Sequence, residues 1–315
     1  MTPSRIAAVV VFASLAALAI GPQQSRQRPT FRAGTDVVTI TAFVRQGNLT
    51  VPGLTPADFI VTDNDVRQTV DVIPGESVPF DMTLALDLSG SIEGMLDQLR
   101  GQVREAADLL RPDDRVRVVT FSGRIVDVFG FLPGTADLPM DDFYTGNLTP
   151  LYDTMAMTML RLRPADRGQI IVFLTDGVDT SSTFTLARVQ TVALRSEDVL
   201  YMFIVHRGPN DLPIPHELVD TRQYWWPQQL DFISGGPPTQ LMGDVARTTG
   251  GDLYEIWGRD HIPASLKQAI DDFRASYILQ YTVQGVSPKG RHKMSVKLNR
   301  PGNYDIRARR QYDGG

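Results

Sequence analysis

Residues 84–92 read LALDLSGSI. Leu84, Ala85 and Leu86 are apolar and lead to Asp87. The chain then turns through Ser89, Gly90 and Ser91. From Ile92 onward Met95, Leu96, Leu99, Val103, Ala106, Ala107 and Leu110 recur at three- and four-residue spacing, and Pro112 follows. This reads as a buried strand, a turn and an amphipathic helix that stops at the proline. Residues 170–182, IIVFLTDGVDTSS, begin the same way: an apolar strand that ends on Asp176 and turns through Gly177. Between them, residues 147–155 read NLTPLYDTM. Pro150 is expected at the first position of a helix, where its missing N–H costs nothing. Outward from these segments come strands at Val116–Phe121 and Ile125–Phe131, joined by the tight turn Ser122-Gly123. Further strands are expected at Val199–Val205 and Asp252–Trp257, with helices near 184–195, 240–248 and 262–275. Strand–helix alternation of this kind predicts an α/β fold with a doubly wound, mostly parallel sheet covered on both faces.

Asp87, Ser89, Ser91, Thr149 and Asp176 are the candidate metal ligands. Two carboxylates and three hydroxyls are hard oxygen donors suited to Mg²⁺, with Mn²⁺ or Ca²⁺ as alternatives. Taken singly, each serine or threonine reads as a helix N-cap and Asp176-Gly177 as a turn. Taken together, they fall where open α/β sheets place ligands, at the carboxyl ends of strands. Asp153 is expected in the first turn of its helix, facing the helix dipole. Asp179 reads as a turn residue or a support behind the ligands.

The order DxSxS, a distant Thr and a distant Asp resembles the von Willebrand factor type A domain with its metal-ion-dependent adhesion site, over roughly residues 80–275. The segments GLTPADFIVTDNDVRQTV (53–70), YILQYTV (277–283) and YDIRARRQY (304–312) look like the flanks of the acidobacterial von Willebrand factor A-related proteins. That resemblance implies a Rossmann-like α/β fold and a metal whose coordination a partner protein completes with an Asp or Glu side chain. The function it implies is a protein-binding module for adhesion or scaffolding, not an enzyme. One rival is a structural envelope protein whose metal only staples loops. Another is a metal-assisted hydrolase, which needs a general base near the metal-bound water; no residue beyond the ligands offers one.

The chain divides into a signal segment (1–20), a linker (21–34), N-terminal β strands (35–78), the metal-binding α/β domain (79–275) and C-terminal β strands (276–315). Arg5 is followed by an apolar stretch to Ile20, with Ala17-Leu18-Ala19 as the small-x-small cleavage pattern. As a helix that stretch spans about 22 Å, short of the hydrocarbon core of about 30 Å. An exported, periplasmic or extracellular protein with no stable membrane span after cleavage is therefore expected. The flanks alternate with period two: Val38, Ile40, Ala42 and Val44 at one end, then Tyr277, Leu279, Tyr281 and Val283, Met294, Val296 and Leu298, and Tyr304, Ile306 and Ala308 at the other. Three C-terminal strands pairing with the N-terminal ones are expected. Asp63-Asn64-Asp65 reads as a plain turn, and Arg307, Arg309 and Arg310 as a solvated strand face.

Of 315 residues, 42% are hydrophobic and 21% charged, with a net charge of −5. No basic stripe supports nucleic-acid binding. Four histidines without ligand spacing and no cysteine exclude most zinc and thiolate chemistry, and any disulfide. The Pro-rich stretch 207–239 is a long loop that holds Trp225 and Trp226. The indoles read either as rings covering apolar surface on the loop or as an interaction anchor; because the loop leaves the carboxyl end of its strand, they are expected to border the metal face and contact the partner.

Overall fold

The computed structural model describes residues 37–89, 96–141, 143–161, 164, 166–206, 238–257 and 261–315. The expected signal segment and linker, Ser91, and the loop carrying Trp225 and Trp226 lie outside the described residues. Five strands come first: β1 (Val37–Gln46), β2 (Leu49–Thr50), β3 (Phe59–Asp63), β4 (Val66–Gln68) and β5 (Asp71–Pro74). The α/β part runs β6 (Phe80–Asp87), α1 (Leu96–Asp108), β7 (Arg115–Phe121), β8 (Ile125–Pro133), α2 (Leu151–Met159), β9 (Gly168–Thr175) and α3 (Leu186–Ala193). It continues with β10 (Val199–His206), α4 (Pro238–Thr248), β11 (Asp252–Trp257) and α5 (Ile262–Arg274). Strands β12 (Tyr277–Thr282), β13 (Gly290–Leu298), β14 (Asp305–Arg307) and β15 (Gln311–Gly314) end the chain.

The central sheet has the order β11-β10-β9-β6-β7-β8. All its pairs are parallel except the β7–β8 hairpin, which the turn at Gly123 (φ 70°) closes. The chain leaves β6 in one direction to build β7 and β8, then returns to place β9 on the other side. The switch point of this doubly wound sheet lies between β6 and β9. Every residue of β6 and β9 is buried, as strands with helices on both faces must be. Alternation sends Met82, Leu84 and Leu86 into a layer with Leu99 and Val103 of α1 and Leu266, Ile270 and Phe273 of α5. Ala85, Ile171 and Phe173 face the opposite layer, with Met155 of α2, Val189 of α3 and Met242 of α4. Pro150 is the N-cap of α2, one position before the helix proper.

The flanking strands form two sheets packed face to face. One has the order β14-β1-β12-β5, with β2 paired to β1; the other is β15-β13-β3-β4. Val37 opposes Thr282 and Ile40 opposes Leu279 across β1 and β12, while Val61 opposes Val296 across β3 and β13. Between the sheets lie Ile40, Val44, Phe59, Val61, Leu279, Tyr281 and Tyr312.

Asp63 is 0% exposed at the centre of this layer, so it is more than a turn residue. Tyr281 and Tyr312 donate their hydroxyls to its Oδ2 at 3.0 and 2.8 Å, and His292 Nδ1 meets Oδ1 at 2.7 Å. Burial holds both phenols above their ordinary range, so they remain donors. The turn itself uses Asn64 and Asp65 at positive φ (46° and 65°), as a two-residue hairpin requires.

The arginine pattern of the last strands is also corrected. Arg309 is buried, and donates to Leu194 O (2.8 Å) and Ser196 O (2.9 Å) just after α3. Arg307 is half-buried, donates to Gly250 O and lies over the Phe43 ring. Period-two alternation gives a residue's side of the strand but not what covers that side. Here the side holding the arginines meets carbonyls that the α/β part leaves unpaired. The fourth strand, β15, is short and has no apolar alternation to reveal it.

Asp63→Ala leaves two tyrosine hydroxyls and a histidine nitrogen buried without their acceptor. It is expected to cost about 3 kcal/mol or more in urea denaturation. A loss under about 1 kcal/mol, the level of an exposed pair, would remove this cluster from the account of the flanking sheets.

Candidate metal centre

Asp87 is the last residue of β6 and sits level with the end of β9 across the switch point, since Leu86 pairs with Leu174. Its side chain is 2% exposed. Oδ1 accepts the backbone N–H of Ser89 at 3.0 Å, which bends the chain away from the strand. Oδ2 accepts the Thr175 hydroxyl at 2.7 Å. Thr175 Oγ1 in turn accepts the Gly177 N–H at 3.0 Å. Gly177 has a φ of 82°, which lets the chain turn immediately after Asp176. Asp176 is exposed, and its Oδ1 accepts the Val178 N–H at 3.0 Å.

Two contacts bring in the third segment. Ser89 forms a parallel bridge with Gly146, which places the approach to Thr149 beside the chain leaving β6. Thr149 and Thr180 then exchange two hydrogen bonds: Thr149 N–H donates to Thr180 Oγ1 at 2.7 Å, and Thr180 N–H donates to Thr149 O at 2.9 Å. Asp87, Ser89, Thr149 and Asp176 therefore share the carboxyl edge of the sheet at its switch point. Thr149 and Ser89 are buried like Asp87.

Asp153 and Asp179 support the loops behind this edge. Asp153 accepts the N–H groups of Thr183 and Phe184, tying the start of α2 to the approach to α3. Asp179 accepts the Tyr152 N–H and the Ser182 hydroxyl. Thr175 is the residue that sequence reasoning missed. Its one signal is a hydroxyl at the last position of an otherwise apolar strand, directly before an Asp.

The electrostatics of Asp87 differ from those of the buried carboxylates that have ion-pair partners; the pKa of Asp179, buried against hydrogen-bond donors, is also pushed up. Asp81 is bridged by Arg115 and Arg167, Asp114 by Arg274, Asp272 by Arg45, and Asp63 by His292. Among the described residues, Asp87 has no Lys, Arg or His partner; its neighbours are the Thr175 and Ser89 hydroxyls, an N–H and a second carboxylate. Burial pushes its pKa up to about 6; the Thr175 hydrogen bond opposes that rise and the charge of Asp176 adds to it. A divalent cation would supply the missing counter-charge. The oxygens shown beside Asp87, the Asp176 carboxylate and the Ser89 hydroxyl, are hard donors that fit it. Among the described residues no group of three or more His, Asp or Glu side chains is placed to hold a metal ion.

No family model matches the chain, and no curated protein matches it. Solved structures resemble it at low identity. A von Willebrand factor type A protein from Catenulispora acidiphila is 9% identical, with 88% of this chain and 75% of that chain covered, at a TM-score of 0.45. The ArnB paralog VWA2 from Sulfolobus acidocaldarius is 10% identical over 87% of this chain and 76% of that one, at a TM-score of 0.44. The conserved hypothetical protein BatB from Bacteroides thetaiotaomicron is 16% identical over 62% and 98%, at a TM-score of 0.41. The fold itself is fixed by the strand order described above.

The raised pKa of Asp87 has a signed consequence in chelator. With its folded value near 6 and its ordinary value 3.8, the folded state holds the proton more tightly. Its contribution to stability is full below the lower value and is lost as pH rises through the upper one. In EDTA this group should remove about 3 kcal/mol between those limits, a slope absent from Asp87→Asn. An equal pH dependence in both proteins would show that Asp87 does not carry the shift.

Proposed function

We propose that the chain is an exported, metal-dependent protein-binding module acting in the periplasm or outside the cell, in adhesion or scaffolding. The observation that carries this reading is a buried carboxylate, Asp87, beside a second carboxylate at a sheet's switch point and, among the described residues, without a cationic side chain. A divalent ion, Mg²⁺ first among candidates, would bring the positive charge that draws an acidic group from a partner. Asp87 and Asp176 would supply the charged donors. The hydroxyls of Ser89, Ser91 and Thr149 would complete the protein's share, some of them through water. Thr175 orients the Asp87 carboxylate, and Asp153 and Asp179 hold the loops that set the edge. The partner's Asp or Glu would take the position that these residues leave open. The DxSxS–Thr–Asp pattern and the resemblance of the flanking segments to acidobacterial von Willebrand factor A-related proteins support the same reading. Among the described residues no helix is long and apolar enough to cross a membrane. Trp225 and Trp226 are proposed to lie beside the partner.

Calorimetric titration of the whole chain with Mg²⁺ tests the metal. Asp87→Ala should abolish measurable binding, because it deletes one of two charged donors. Thr175→Val, which touches no metal, should weaken binding about tenfold, as loss of an orienting contact does. Unchanged affinity in Asp87→Ala would sink the site.

A further inference from the structure

The carboxyl edge of the central sheet carries a cation outside the candidate metal ligands. Arg124 follows Gly123 in the β7–β8 turn and is exposed. Its guanidinium lies over the Tyr144 ring, 4.0 Å from the ring centre. The nearest acid after it in sequence, Asp127, is already held by Arg117 and Arg161. Arg124 itself forms no ion pair among the described residues. Stacked flat on a ring, a guanidinium keeps the N–H fork at its rim free for a carboxylate, with its orientation already set.

An apolar path joins this pair to the switch point. Gly123 N–H donates to Leu148 O at 2.6 Å, and Leu148 directly precedes Thr149. Gly146, two residues after Tyr144, bridges Ser89. Leu148 and Val178 lie just before the paired Thr149 and Thr180. Tyr144, Leu148 and Val178 are 44%, 51% and 45% exposed. Single exposed apolar side chains are ordinary, but these three follow one hydrogen-bonded path along the edge. The same backbone bonds set the candidate metal centre, so the side chains stand on a fixed frame and cost little to order.

We propose that the partner meets this edge with an acidic segment that carries two carboxylates and a large apolar side chain. One carboxylate goes to the metal, the second to the Arg124 fork backed by Tyr144, and the apolar side chain lies on Leu148 and Val178. Charge favours this occupant. The chain has a net charge of −5 and Asp176 is exposed on the same edge, so an acidic partner needs local cations to hold it. A metal answers one carboxylate, and Arg124 is placed to answer another. Tyr and Arg are also the residues that anchor interfaces most often. The first contact rests on the metal-binding reading above; the Arg124 contact needs no ion.

A random peptide library displayed on phage, panned against the whole chain in Mg²⁺ and again in EDTA, tests this. Peptides selected in Mg²⁺ should share two acidic positions and a large apolar one. Panning against Arg124→Glu should turn the second acidic position basic and leave the first as it was. A synthetic peptide of the selected sequence should bind Arg124→Ala about fivefold more weakly than the parent protein. Tyr144→Phe, which keeps a ring under the guanidinium, should bind it like the parent. A single acidic position, the same for the parent and Arg124→Glu, would overturn this proposal and leave the metal reading standing. An Arg124-dependent acidic position selected equally in Mg²⁺ and EDTA, with no second one, would support the Arg124 contact and count against the metal. Selection of no acidic position would overturn both.

Discussion

A carboxylate buried without a counter-ion is the constraint around which the switch-point edge is arranged. Asp87, 2% exposed at the end of a parallel strand, must either have its charge answered or hold its proton. The protein answers in part, with one N–H and the hydroxyls of Thr175 and Ser89, and then places a second acid beside it. That is a poor solution for stability and a good one for capturing a cation. Among the described residues, the buried Asp81, Asp114 and Asp272 are answered by arginine, while Asp179 is met by hydrogen-bond donors. What marks Asp87 is the second carboxylate beside it at the strand end.

The loops at this edge are held rigidly for a reason of the same kind. Ser89 is bridged to Gly146, Thr149 is locked to Thr180, and Asp153 and Asp179 cap the following turns. Three segments distant in sequence are thereby set beside one another before any ligand arrives. Pre-organisation of this sort lowers the ordering cost of binding. Away from the edge, Arg309, Arg307 and Arg45 fasten the flanking sheets to the α/β part through Leu194, Ser196, Gly250 and Asp272. The terminal strands are therefore bonded to the body as well as to each other.

Much of this was legible before any coordinates. Continuous apolar runs such as 170–174 announce strands buried on both faces, and the i, i+3, i+4 spacing after Ile92 announces a helix. The Asp that ends β6 and the Asp that directly follows β9 were visible because a charged residue closing an apolar run is chemically out of place. Thr175 was hidden because threonine is an ordinary strand residue. Asp63 was hidden because an Asp-Asn-Asp run looks like a turn, and only the fold brings Tyr281, His292 and Tyr312 to it from over two hundred residues away. The buried arginines escaped for a related reason: strand alternation separates two faces but does not say which one meets protein.

The central claim is that the charge of Asp87 is left for a cation to complete. Carboxyl-carbon NMR of the whole chain, followed through a pH titration with EDTA and again with Mg²⁺, reads that charge directly. In EDTA the Asp87 carboxyl should titrate near 6, and with Mg²⁺ its midpoint should fall below the ordinary 3.8. A midpoint that Mg²⁺ leaves unmoved would contradict the account.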